Sequence, residues 1–197
     1  MSPVAWVLLV VLLLVVFWAV GAFNRLVRLR NAIANAFGQI DVQLKRRYDL
    51  VPNLVEVARK YLAHESQTLE AVIAARNQAR AAEQTAAGSP VSAGAISALS
   101  GAEQMLGGAL GRLFAVAESY PELKADQTMR ELSEELTSTE NRIGFARQAY
   151  NDHVLALNDE AAQFPTLIVA RLFGFQTLPM LEATTSEVER QPVKVSL

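Results

Sequence analysis

The chain has 197 residues, enough for one domain plus an anchor and enough to bury a core without staples. It has no cysteine, which excludes disulfides, thiol catalysis and thiolate metal sites. The net charge of −2 hides a split: six bases face one acid, Asp41, between Asn24 and Arg47, and ten acids face four bases between Glu118 and Glu160.

From Pro3 to Phe23 there is no ionisable side chain. A hydrocarbon core ~30 Å thick needs roughly 20 apolar residues in a helix, and Val4 to Phe23 supply them, with Trp6 and Trp18 near the two ends. Residues 4–23 are therefore expected to be a transmembrane helix held by membrane lipid. A cleaved signal peptide fits less well. Met1, Ser2 and Pro3 carry no base, the apolar run is long, and Ala19-Val20-Gly21 is a poor cleavage match. Arg25, Arg28 and Arg30 follow the span and nothing basic precedes it. The positive-inside rule then puts the N-terminus outside and the large C-terminal part in the cytoplasm of a protein that crosses the membrane once. Either the basic stretch is a solvated face, or it serves anionic headgroups or pairs with the acidic helix.

After Asn24 no convincing β-run appears, and apolar residues recur at helical spacing. Leu26, Ile33, Phe37, Ile40, Leu44 and Val51 form one stripe, with Arg30 and Arg47 also on it, stems buried and heads in water. Asp49-Leu50-Val51-Pro52 either starts a new helix or kinks one long one. The stripe resumes from Leu54 to Ile73, with a turn at His64-Glu65. Residues 81–95, rich in Ala, Gly and Ser around Gly88-Ser89-Pro90, predict a loop. A third helix is expected over 93–119 and a fourth from Asp126 to Gln163, stopped by Pro165. A short helix from near Thr166 ends at Gly174. The predicted fold class is all-α: a transmembrane helix followed by an antiparallel four-helix bundle with long helices. The divisions are 1–23, the N-terminus and anchor; 24–164, the bundle; 165–181, a short amphipathic segment; and 182–197, a polar tail expected to be disordered. Four helices up and down return the chain to the membrane. Residues 166–181, including Leu172 and Phe175, are therefore expected to cap that end against lipid or a neighbouring protomer; packing on the side of the bundle is the competing account.

Two stretches resemble the LemA family of bacterial membrane-anchored proteins. One is Leu29 to Asn53, which contains Ile40-Asp41-Val42-Gln43-Leu44-Lys45-Arg46-Arg47-Tyr48, and the other is Glu140 to Asp152. The spaced Phe164-Pro165 and Gly174-Phe175 are a third match. With the anchor, the resemblance covers the chain to about Phe175. It implies an N-terminal anchor and a cytoplasmic four-helix bundle, and it carries over no catalytic residue.

Reactive constellations are scarce. His64-Glu65 begins like a zinc-protease motif, but Thr68 stands where the second His belongs. Neither His64 nor His153 has a Glu three residues earlier, as a di-iron bundle requires. Phosphate-binding, dinucleotide and hydrolase signatures are missing. No cofactor, metal, nucleic acid or catalysis is expected, and a hydrolase with a spatially assembled site is only a third reading. Polar and small residues offer assembly candidates instead. Asn31, Asn35, Gln39 and Gln43 repeat every four residues, as a solvated face or as a hydrogen-bonding seam. Asn141, Arg142, Arg147, Asn151 and Asp152 are possible partners for that ladder. Gly107 and Gly111 either permit close helix approach or mark an irregular helix. The expected function is a non-catalytic, self-associating membrane scaffold, a homo-oligomer with possible membrane-protein partners. The alternative is a monomeric sensing or adaptor module that binds a ligand or a membrane protease or kinase.

Overall fold

A computed structural model describes residues 2–181, so the expected polar tail at 182–197 lies outside the described residues. All regular elements among them are helices: α1 (Pro3–Arg59), α2 (Ser66–Gly88), α3 (Ala93–Ala117), α4 (Pro121–Ala125), α5 (Gln127–Ala162) and α6 (Thr166–Leu172).

The N-terminal apolar run and the first stripe belong to one helix. α1 begins at a Ser2 cap and continues through Pro52, so of the two alternatives at Pro52 the chain takes one long helix. Pro52 has no N–H to give the carbonyl four residues back, that of Tyr48. Arg76 of α2 takes that place, its Nε donating to the Tyr48 carbonyl at 3.0 Å. The helix survives because a neighbouring side chain fills the gap. Almost every side chain from Val4 to Trp18 is exposed, whereas Leu26, Ile33, Phe37, Ile40, Leu44 and Tyr48 are buried.

α1 packs against α5 and α2, and α2 packs against α3. Along α1 and α5, Arg25 meets Glu160, Phe37 meets Tyr150, and Arg46 meets Glu135, so partner numbers fall as α1 numbers rise. A single apolar core joins the long helices.

The predicted loop over 81–95 is a correction. α2 runs on to Gly88, and only 89–92 separate it from α3. The alanines read as loop composition are good helix formers, and Ala79, Glu83 and Ala86 bury one face. Ser92 caps α3 by accepting from the Ala95 N–H at 3.4 Å. The short α4, which periodicity is too brief to reveal, starts at Pro121. Asp126 then caps α5, accepting from the Met129 N–H at 2.9 Å, and Tyr61 donates to its other oxygen at 2.9 Å. That bond ties the α1–α2 turn to the start of α5.

At the other end, α6 packs on α5 and α1. Gly174 takes φ +71°, and the N–H groups of Phe175 and Gly174 return to the carbonyls of Ala170 and Arg171 at 2.9 and 3.4 Å. This double closure is the Schellman geometry, which a residue without Cβ favours.

Candidate functional site: a buried charged layer and an asparagine clamp

The basic run of α1 does pair with acids of the same chain, and at Arg47 the pair is buried. Arg47 is 6% exposed. Its Nη1 reaches Glu103 of α3 at 2.8 Å and Glu140 of α5 at 2.9 Å. The expectation that Arg47 keeps its head in water is thus corrected, whereas Arg30 is exposed. Glu103 also accepts from the Tyr48 hydroxyl. Burial pushes the Glu103 carboxyl above its ordinary range, partly offset by Arg47 and by the Tyr48 hydrogen bond. Burial, reinforced by the Glu103 charge, pushes the Tyr48 hydroxyl up as well, so it acts as a donor. One guanidinium thereby holds three helices at one level. Breaking such a pair strands a charge in the interior, which costs about 3–5 kcal/mol, and pairs of this kind can fix register.

A second layer lies between α1 and α2. Lys45 Nζ stands 2.6 Å from Asp41 and 3.8 Å from Glu83, which is 1% exposed. Asp41 Oδ1 and Glu83 Oε1 are buried, and with both carboxyls ionised neither finds a hydrogen-bond donor. Two carboxylates so placed repel unless one carries a proton. Burial pushes Glu83 up to about 7, and the adjacent Asp41 adds to this. Burial also opposes ionisation of Asp41, but hydrogen bonds with Glu83 and Lys45 outweigh it and hold Asp41 below its ordinary value. The pair therefore exchanges a proton near neutral pH, with Glu83 as the proton-bearing member.

Two asparagines of α5 hold the segment after α6. The Asn158 amide donates to the Leu178 carbonyl and accepts from its N–H, both at 2.9 Å. Asn151 does the same for Leu181 at 3.0 and 2.9 Å. The asparagines stand seven residues apart, two helical turns, and grip backbone three residues apart in the irregular segment after α6. Leu178 and Leu181 are buried. Leu181 joins Leu99 of α3 and Ile143 of α5 around a cavity of about 30 Å³ beside Glu103. Residues 175–181 thus lie along the side of the domain, as the competing account had it. Leu172 is 76% exposed, whereas Phe175 packs against Phe23 with ring centroids 5.9 Å apart.

The other sequence candidates are scattered. Asn31, Asn35 and Gln39 are exposed on the outer face of α1, and Gln43 is half-buried. Asn141 and Arg142 are exposed on α5. Gly107 is half-buried, and Gly111 is exposed with open space where a Cβ would stand, so Gly111 permits no close approach within this chain. Among the described residues, no group of three or more His, Asp or Glu side chains is placed to hold a metal ion. Glu83, Glu103 and Asn158 escaped the sequence reading. The two glutamates had a usable signal: each is a lone acid in a long Ala-rich stretch and falls in register with buried neighbours, Ala79 and Ala86 for one, Leu99 and Leu106 for the other.

Comparison with known proteins supplies relatives. The magnetosome protein MamQ 2 of Paramagnetospirillum magneticum is 37% identical over 79 residues, 40% of this chain and 29% of that protein. Magnetosome protein MamQ of Magnetospirillum gryphiswaldense is 34% identical over 83 residues, 42% of this chain and 30% of its own length. The chain therefore spans less than a third of the magnetosome proteins it matches. Protein LemA of Metamycoplasma hominis is 28% identical over 180 residues, 91% of this chain and 77% of that protein. The sequence model of the LemA family matches residues 36–197, which takes in the charged layers, the clamp and α6. A match over most of the length, across the very helices that carry these features, means that the chain belongs to the LemA family.

Proposed function

We propose that this chain is a non-catalytic, single-pass protein of the bacterial cytoplasmic membrane. Its N-terminus lies outside, and α1, α2, α3 and α5 form an antiparallel bundle in the cytoplasm that works as a self-associating scaffold. The observation that carries the reading is the outer face of α1. Asn31, Asn35 and Gln39 stand exposed in line on the same uninterrupted helix that holds the apolar span. Each amide offers both a donor and an acceptor. A ladder of amides can therefore pair with an identical ladder on a second copy, which a ladder of one charge cannot. The span would hold copies at the same height and so bring the ladders into register. The buried Arg47 layer supports the non-catalytic part of the reading, since Arg47, Glu103 and Tyr48 are engaged in holding helices together.

The mass of the full chain extracted in mild detergent tests this. A multiple of 21.5 kDa is expected. Asn35→Leu should change the assembly, and Gln78→Leu, on an exposed face of α2, should not. A monomer at every concentration would defeat the scaffold reading. Such a monomer would favour a sensing or adaptor module, which the near-neutral titration of Glu83 supports.

A further inference from the structure

α6 and the residues just after it expose an apolar surface at one place in the fold. Phe164 is 82% exposed, Ile168 59%, Leu172 76% and Phe173 57%. On the inner side, Phe173 and Phe175 sit on Phe23, with ring centroids 4.8 and 5.9 Å away. Phe23 ends the apolar run of α1. The last turn of that run is covered by protein: Ala22 is buried and Ala19 half-buried, whereas Val7 to Trp18 are exposed. One helical turn rises about 5.4 Å, so the covering segment reaches about that far below the end of the run.

We propose that this segment is a second membrane contact: a monotopic cap lying in the bilayer beside the end of the transmembrane helix, with Phe164, Ile168 and Leu172 against lipid acyl chains. The proposal rests on the reading of residues 4–23 as a span. The occupant follows from continuity, because the exposed patch adjoins the surface that the span itself presents to lipid. The backbone of the cap suits that place, since lipid offers no hydrogen bonds. At its start, the Leu167 and Ile168 N–H groups reach the carbonyls of Gln163 and Pro165 at 2.7 and 3.0 Å. At its end, the Schellman closure uses two carbonyls. Two polar side chains next to it are also paired. Thr166 donates to Glu160 at 3.3 Å, and Glu160 pairs with Arg25 at 2.9 Å, just past the span. Arg171 is exposed, with a stem long enough to lift its charge to the headgroups. Two apolar contacts, side by side, would fix the rotation of the domain about the membrane normal, which a single span leaves free.

The chain has no native cysteine, so single cysteines report cleanly. Leu172→Cys, Val11→Cys and His64→Cys would each carry an environment-sensitive fluorophore in the full chain, reconstituted into vesicles of phosphatidylcholine and phosphatidylglycerol. Quenching by nitroxide on lipid acyl chains is compared with quenching by aqueous iodide. The expected result is that the Leu172 site, like the Val11 site, is quenched several-fold more by lipid nitroxide than the His64 site in the distal turn. Iodide quenching at Leu172 equal to that at His64 would overturn the cap. Protection from both quenchers would overturn it too, because protein would then cover the patch. Loss of lipid quenching at Val11 would instead mean that the span reading itself has failed. All these results are independent of the assembly mass.

Discussion

Burial moves the Glu83 carboxyl from 4.5 to about 7, and this links stability to pH through a single residue. The folded state binds this proton more tightly than the unfolded chain does. The contribution to stability is therefore fully present below about pH 4.5 and is lost as pH rises through about 7. A shift of this size corresponds to an effect on the order of 3 kcal/mol. Glu83→Gln keeps the shape and removes the titration. In detergent, thermal unfolding of that variant should match the parent near pH 5 and exceed it near pH 8; an equal pH slope in both would refute the assignment. The asparagine clamp gives a second prediction at this scale. Asn158→Ala leaves both polar groups of Leu178 without their partner, at a cost of about 1–3 kcal/mol. Amide exchange at Leu178 should rise by about tenfold or more, with little change at Ile143 in the core of α5. Glu83 had a signal in its register with buried alanines, whereas the clamp does not follow from residue type. An Asn seven positions from another is common on a helix surface, and only the returning segment, brought there by Gly174 and α6, turns the two into a clamp.

At the scale of elements, the helices were legible because each long one carries an apolar stripe with a helical repeat. The third and fourth predicted segments differ from α3 and α5 by no more than two residues at either end. The errors have physical causes. Composition of Ala, Gly and Ser around 81–89 does not distinguish a loop from a helix face that packs small side chains, and Glu83 inside that stretch lies on this buried face, 3.8 Å from Lys45 of α1. Pro52 gave no decision because its effect depends on a partner distant in sequence. The Tyr48 carbonyl loses its helix bond to Pro52, and Arg76, 28 residues away, restores one. This predicts a coupled pair. Arg76→Ala should destabilise by about 1–3 kcal/mol, since a carbonyl is left unpaired. The same change in a Pro52→Ala background should cost clearly less, because an alanine there brings back the N–H. A double-mutant cycle on unfolding free energy measures the difference, and strict additivity would show that the Arg76 bond does not compensate for Pro52.

At the scale of the whole molecule, the apolar span and the domain share one helix, and the bases next to the span set the expected orientation. Protease added outside intact cells should leave the domain whole, and lysis should make it cleavable; digestion without lysis would reverse the topology. The charged layers tie α1 to its neighbours at several levels. Arg25, Arg46 and Arg47 are braced to α5, and Lys45 and Tyr48 to α2 and α3. The part of α1 beyond Phe23 is roughly 54 Å long at 1.5 Å per residue. Spans tilt to match the thickness of the hydrocarbon they cross, by about 20° on average. In a rod without a hinge at the bilayer surface, that much tilt carries the far end sideways by about 18 Å. With residues 4–23 as a span, the turn at His64 is therefore the part of the domain that any tilt of α1 would displace farthest across the membrane plane.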